Sequence, residues 1–347
     1  RTTIPILSNV LLEAEDGKLR LAATDLDLAI LEAVEAQVDQ PGAITTPAHT
    51  FYDIVRKLPD GAQVELSYDG EDQKLTLRSG RSRFVLACLP REDFPEMADD
   101  DLPHHFELSA SDLKRLIDKT RFAISLEETR FYLNGIYLHV TEDDSHMRGV
   151  ATDGHRLARV ELPVPDGAAG MPGVIVPRKA VNEIRKLIDE IDGGIAIALS
   201  DGKIRFAFGD VVMSSKLIEG TFPDYERVIP KQNDKTLEVD AKLFEDGIDR
   251  VSTISSEKSR AVKLMMEGDK LTLSVTSPEM GSGTEEISAS YSAEPMEIGF
   301  NARYVLDIMG QIEGDNVRLT LADSAAPTLL QDSGEETALY VLMPMRV

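Results

Sequence analysis

The sequence predicts an α+β fold of three similar domains, each a duplicated unit of one helix and several antiparallel strands. The first observation is a repeat. Thr46-Pro47-Ala48-His49-Thr50-Phe51-Tyr52-Asp53-Ile54 returns as Val176-Pro177-Arg178-Lys179-Ala180-Val181-Asn182-Glu183-Ile184, and more weakly as Phe300-Asn301-Ala302-Arg303-Tyr304-Val305-Leu306-Asp307-Ile308. The copies lie about 125–130 residues apart, too long for a solenoid unit and right for a domain. The second observation is that each copy reads as a short helix, then an acidic glycine-containing turn, then alternating apolar residues of strand type. The third is length: 347 residues divide into three domains of ordinary size, each large enough for a core.

In the first copy, Asn9-Val10-Leu11-Leu12-Glu13 aligns with Asn134-Gly135-Ile136-Tyr137-Leu138, and Ala23-Thr24-Asp25 with Ala151-Thr152-Asp153. Nothing upstream matches the helix predicted over 112–124. A strand and a helix of roughly 20–25 residues are therefore expected to be missing at this end. The second copy shows the whole unit. Ser109-Ala110-Ser111-Asp112 offers capping oxygens, and Leu113, Leu116, Ile117 and Ile124 follow at helical spacing. Strands are predicted over 132–140, 148–152 and 157–162, with an acidic turn at Glu142-Asp143-Asp144. After the Gly/Pro/Ala link 163–172 come a helix over 179–191, a turn at Asp192-Gly193-Gly194, and strands over 195–199, 203–208 and 211–217. The third copy predicts helices over 240–254 and 300–312 and strands over 261–266, 271–275, 317–321 and 338–343. Boundaries follow Asp93-Phe94-Pro95 and Phe222-Pro223-Asp224, giving domains 1–101, 102–230 and 231–347.

Composition excludes several classes. No stretch approaches the roughly 18–20 apolar residues of a membrane span. No secretion signal is recognisable, and the single cysteine, Cys88, excludes an intrachain disulfide, so a cytoplasmic setting is expected. The net charge of −24 argues against nucleic acid if averaged over the surface, but not if charge is segregated. There is no phosphate loop and no dinucleotide fingerprint. His49, His104, His105, His139, His146 and His155 lack metal-ligand spacing, and His104-His105 is expected in a linker. Acidic runs such as Asp99-Asp100-Asp101 read as solvated charge. No metal, cofactor or catalytic residue is expected.

Thr152-Asp153-Gly154-His155-Arg156-Leu157 is the most chemically loaded motif. Asp153, His155 and Arg156 invite a hydrolase reading with an Asp–His base. The other reading is a turn in which Gly154 supplies backbone freedom. The repeat favours the turn, because Thr24-Asp25-Leu26-Asp27 stands in the same place without Gly, His or Arg. On the helix after Pro177, Arg178, Lys179, Arg185 and Lys186 lie opposite the apolar stripe; on the helix after Ser111, Lys114, Arg115, Lys119 and Arg121 do so. Such faces are commonly just solvated, yet basic clusters recurring on helices of an acidic chain suit phosphate contacts. The apolar terminus Tyr340-Val341-Leu342-Met343-Pro344-Met345-Arg346-Val347 reads as a core strand or a groove wall.

Together with Ser215-Lys216-Leu217, Phe222-Pro223-Asp224-Tyr225, Phe300-Asn301, Tyr304-Val305-Leu306 and Met343-Pro344-Met345-Arg346, these motifs resemble, in order along the whole chain, the bacterial replicative sliding clamp, the beta subunit of DNA polymerase III. The resemblance implies a head-to-tail homodimeric ring of six domains around duplex DNA, helices inside and strands outside. It implies a cleft for partner peptides formed by Leu133, Thr152, Gly154, His155, Arg156, Leu157, Pro223, Arg227, Val228, Asn301, Tyr304, Val341, Leu342, Met343, Pro344 and Met345. Its partners would be the replicative polymerase, the clamp loader, repair polymerases, ligase and mismatch-repair proteins. Arg1, Phe131 and Tyr132 would touch DNA, beside Arg178, Lys179, Arg185 and Lys186 of the helix after Pro177. Arg81, Arg83, Phe84 and Leu86 of one subunit would meet Thr253 and Ile254 of the other. Ser259, Pro327 and Val347 depart from common family residues, which bears on peptide preference.

Overall fold

A computed structural model describes residues 4–96, 101–255 and 260–346; Arg1, Asp99, Asp100, Ser259 and Val347 lie outside the described residues. The chain divides into two compact units, Arg1–Leu108 with Gly193–Lys216, and Ser109–Asp192 with Leu217–Val347. Each unit thus takes half of the second repeat.

In the first unit an eight-stranded sheet runs in the order Gly42–Pro47, Asn9–Glu15, Lys18–Thr24, Leu28–Glu35, Val211–Lys216, Lys203–Phe208, Gly194–Leu199, His104–Ser109. Its first seven strands are antiparallel to their neighbours. Leu28–Glu35 pairs with Val211–Lys216, so the sheet crosses from one repeat into the next without an edge. Period-two alternation sorts the apolar residues onto two faces. Val10, Leu12 and Ile44 pack with Leu75 and Leu86 of a three-stranded sheet (Glu65–Asp69, Lys74–Ser79, Ser82–Ala87), with Cys88 just after it, and with half-buried Phe51 and Ile54 of helix α1, Ala48–Val55. Leu11, facing the other way, packs with Ile6, Ala22 and Phe94.

The second unit carries twelve antiparallel strands in the order Val174–Pro177, Gly135–Val140, His146–Thr152, Arg156–Pro163, Ala338–Leu342, Thr328–Asp332, Asn316–Leu321, Lys235–Asp240, Gly281–Tyr291, Lys270–Ser277, Ala261–Glu267, Met296–Asn301. Here too two repeats share one sheet, through Leu157↔Val341 and its neighbours. Helices α2 (Ala110–Asp118) and α3 (Arg178–Leu187) pack together, as do α4 (Ala241–Ser252) and α5 (Ala302–Met309). Ser109, Asp240 and Asn301 cap α2, α4 and α5 by accepting backbone N–H bonds from Asp112, Leu243 and Arg303.

The structure corrects several predicted bounds. α2 stops at Asp118, because the Thr120 hydroxyl folds back onto the Leu116 carbonyl at 2.6 Å and a 3-10 turn, Arg121–Ala123, follows. α3 stops at Leu187, and Lys114 Nζ takes up the carbonyls of Asp189 and Ile191 beyond it. The predicted strand from Tyr132 starts at Gly135, after the 3-10 segment Glu128–Leu133. Phe300, predicted helical, is a buried strand residue before the Asn301 cap. His104 and His105 are in a strand, not a linker.

Candidate functional site

Leu133, Leu157 and Val341 come from three distant stretches and meet in one apolar cluster with Val150, Ile175, Phe222, Tyr225 and Leu339; Tyr132, Tyr137, Ile218, Ile229 and Leu329 border it, half-buried. The segment after Phe222 supplies exposed Pro223, Arg227 and Val228. On the other side the chain end is tied down twice. Met343 N donates to the His155 carbonyl at 2.9 Å and Met345 N to the Gly299 carbonyl at 2.7 Å. The tail therefore spans from the turn at His155 to the strand Met296–Asn301, leaving Met343 and Met345 40% and 36% exposed. Leu342, also buried, stands outside this cluster, because strand alternation turns it to the face opposite Val341.

The motif at 152–157 is a turn, built as the repeat implied. Thr152 Oγ1 donates to the Arg156 carbonyl (2.7 Å) and accepts from Gly154 N (3.1 Å), while Asp153 Oδ1 accepts from His155 N and Arg156 N (2.9 and 3.0 Å). Thr24 and Asp25 make the same four bonds around Leu26. The central residue has positive φ in both, +88° at Gly154 and +79° at Leu26. Asp153 is occupied by the turn and by Arg156 Nε (3.2 Å), and the His155 ring faces Tyr304 at 6.1 Å, so no Asp–His base forms. Arg156 is the centre of this wall. Its guanidinium lies 4.3 Å from the Tyr304 ring centroid and 5.2 Å from that of Phe122, pairs with Asp153 and Asp307, and donates to the Phe122 carbonyl at 2.8 Å. Arg130 supports the turn from beneath, donating to the Asp153 carbonyl at 3.1 Å, with a bidentate pair to Glu127. Sequence reasoning missed Phe122, Arg130, Phe222 and Tyr225 as parts of this site. Only the Phe-Pro-Asp-Tyr motif hinted at the last two.

The basic helices are less free than their periodicity implied. Phe131 is exposed, edge-on to Tyr132 at 5.7 Å, and Arg178, Lys179 and Lys186 are exposed on α3, Lys186 bonded to Glu183 at 3.0 Å. Arg185 is different: it bonds both oxygens of Asp118 at 2.9 Å and Asp189 at 2.8 Å, cross-linking α3 to α2. At the end of α2, Lys119 is buried against the Gln311 carbonyl (2.8 Å), Glu313 and Glu335, and Arg115 on the helix pairs with Glu335. Both were expected on a polar face, open to solvent or to phosphate. A helix has a second face, and here a neighbouring loop covers it.

Ser82–Ala87 is an edge strand of the three-stranded sheet, with Arg81, Arg83, Phe84 and Val85 exposed. Leu86, expected beside them at an interface, is instead a core residue, 8% exposed. Thr253 and Ile254 follow α4, and Ile254 covers Gly283 so closely that a Cβ there would lie 2.9 Å from its Cδ1. Gly281–Tyr291 pairs with Lys235–Asp240 only at 289–291, so among the described residues the edge over 281–288 carries no second strand.

Three models of one family match the chain in order: the N-terminal, central and C-terminal domains of the DNA polymerase III beta subunit, over residues 1–98, 107–224 and 226–346. The chain belongs to the DNA polymerase III beta subunit family. It is similar to the beta sliding clamp of Caulobacter vibrioides strain NA1000 / CB15N, at 53% identity across all of this chain and 94% of that one, and to that of Escherichia coli K12, at 41% with the same coverage. Among solved structures it matches a DnaN sliding clamp of Bartonella birtlesii bound to griselimycin (TM-score 0.97, 53% identity, all of this chain and 93% of that one). A Pseudomonas aeruginosa sliding clamp with ligand matches at TM-score 0.95 and 38% identity, over all of this chain and 94% of that one. As a sliding clamp, the chain is a non-catalytic subunit of a DNA polymerase, and the hydrolase reading of Asp153, His155 and Arg156 falls. No helix among the described residues is long and apolar enough to cross a membrane.

Proposed function

We propose that this clamp holds its polymerase on duplex DNA as a head-to-tail homodimeric ring in the cytoplasm, and that partners dock by inserting a short peptide into the wall-and-floor arrangement around Leu133, Leu157 and Val341. Domains 1–101, 102–230 and 231–347 of two subunits make the six segments. The observation that carries the reading is the pinned apolar terminus, held at His155 and Gly299 with Met343 and Met345 presented beside a buried apolar floor. The replicative polymerase, the clamp loader, repair polymerases, ligase and mismatch-repair proteins share this dock. The ring closes by joining the free edge at Arg83–Phe84–Val85 to the open edge of Gly281–Tyr291, flanked by Thr253 and Ile254. Tethering raises the local concentration of polymerase at the primer end without a strong grip on DNA.

A peptide with a glutamine followed by apolar and aromatic residues should bind on the order of micromolar, about −8 kcal/mol after ordering costs. Deleting Met343 to Val347 removes the wall and leaves the proposed ring joints untouched. The truncated protein should remain dimeric in sedimentation and lose peptide binding and polymerase stimulation together. Unchanged peptide affinity in an intact dimer would move the dock elsewhere.

A further inference from the structure

His139 lies behind the segment that carries Pro223, Arg227 and Val228. Its ring stacks on Tyr137 (4.7 Å, 20°), and Tyr137 stacks in turn on Phe222 (4.8 Å, 12°). Its Nδ1 is 3.1 Å from the Val140 carbonyl and therefore carries the proton; Nε2 then accepts from the Tyr225 hydroxyl at 2.9 Å. That hydroxyl accepts in turn from Arg148 Nη1 at 3.1 Å. The chain of bonds runs in one direction, from Arg148 through Tyr225 and His139 to Val140, and every member is satisfied only while the imidazole is neutral. Phe222 and Tyr225, the two anchors of the wall segment, both rest on this stack, and both belong to the apolar floor.

We propose that His139 is a positioning residue for the Pro223–Val228 wall of the peptide cleft, and that protonating it loosens the wall and weakens peptide binding. The proposal rests on the reading that these residues line the cleft. A second ring proton would point at Tyr225, whose hydroxyl already takes a bond from Arg148, and the tyrosine's own proton would be left without an acceptor in a buried site. The carboxylates nearby are already committed to arginines. On the strands facing His139, Arg148 pairs with Glu161 at 2.7 Å and with Glu226 of the wall segment, and Arg159 pairs with Glu161 at 3.0 Å. Burial pushes the His139 pKa below its ordinary value, and Arg148 and Arg159 depress it further against the opposing Val140 carbonyl and Glu226. The sign follows: a loosened wall restores the ordinary histidine pKa, so the loose state takes up the proton first, and acidification through about pH 6.5 favours it.

The test is a peptide without ionisable side chains, titrated by fluorescence anisotropy from about pH 7.5 to about pH 5. The wild-type protein and a His49→Gln variant, altered on the exposed face of α1, should both lose affinity by about fivefold or more across that range. His139→Gln, which keeps an acceptor for Tyr225 but cannot titrate, should bind at neutral pH and stay flat. By reciprocity, saturating peptide should lower the His139 pKa followed by NMR in the unmodified protein, a measurement that stands even if the variant fails to fold. Absence of binding at neutral pH in the wild type would overturn the cleft reading and this inference with it. Binding with a pH profile unchanged by His139→Gln, a profile abolished by His49→Gln, or a His139 pKa indifferent to peptide would overturn the inference alone.

Discussion

Replacing Arg156 with alanine should unfold its surroundings rather than merely remove a surface charge. The guanidinium is 10% exposed, sandwiched by Tyr304 and Phe122, bonded to the Phe122 carbonyl and shared between Asp153 and Asp307. Truncation strands two carboxylates, of which Asp153 is itself only 17% exposed. Removing one partner of a buried ion pair costs about 3–5 kcal/mol, and half-exposed Asp307 recovers part of this through water, so about 3 kcal/mol is expected. The two ring contacts contribute about 0.5–1 kcal/mol each within that figure. In a unit of this size each kcal/mol lowers the melting temperature by about 2–4 °C, which predicts a fall of about 6–12 °C. Arg156→Lys keeps the charge but not the planar stacking or the fork, and should lose about half as much. Differential scanning calorimetry and peptide titration on the same samples decide the matter. Lost peptide binding with an unchanged melting temperature would refute the reasoning, since Arg156 would then be a contact residue and not the keystone of the wall.

Gly154→Ala should cost about 1–2 kcal/mol, because φ is positive and the added Cβ meets Arg130 Nη1 at 2.6 Å; chemical denaturation reads it. Leu26→Gly, at the equivalent turn, should be neutral or stabilising by up to about 1 kcal/mol in the same assay, as relief of strain outweighs the entropy of glycine. Thr253→Asp with Ile254→Asp should give monomers in sedimentation velocity, and a persisting dimer would place the joint elsewhere. Neutralising Arg178 with Lys186 should reduce the salt slope of DNA binding by about one to two units with the melting temperature held, whereas Arg185→Ala should lower the melting temperature, because it breaks a helix cross-link.

Much of the fold was legible because it is written three times. Helix starts at Ser109, Asp240 and Asn301 carry capping side chains, and the strands 195–199, 203–208 and 317–321 alternate cleanly enough to bound within a residue. Gly281–Tyr291 escaped notice because Gly-Ser-Gly-Thr-Glu-Glu lacks apolar alternation; its residues alternate in exposure through backbone pairing with Lys270–Ser277 instead. The fate of the cations was illegible for a different reason. The period of a helix separates an apolar stripe from a polar one but does not say what covers the polar one. Lys119 and Arg115 meet Glu335, more than two hundred residues away, and no local pattern encodes that distance.

The two copies of the Thr-Asp turn show what the proposed dock adds to a duplicated scaffold. Their hydrogen bonds agree one for one, so the turn belongs to the fold and would exist without any partner. What differs is what stands on it. The first copy holds Leu26, exposed and strained, at the position of positive φ. The second holds Gly154, which clears the space that Arg130 occupies beneath it. It also adds His155, whose ring faces Tyr304, and Arg156, which fastens Tyr304 and Asp307. Each added residue makes a contact that the first copy lacks, and together they turn a loop into a wall. Departures from the repeat mark the site more sharply here than conformity to it, and the same comparison of copies locates His139: its aligned counterpart in the first copy is the alanine of Glu13-Ala14, which has no ring to stack and no nitrogen to offer a tyrosine.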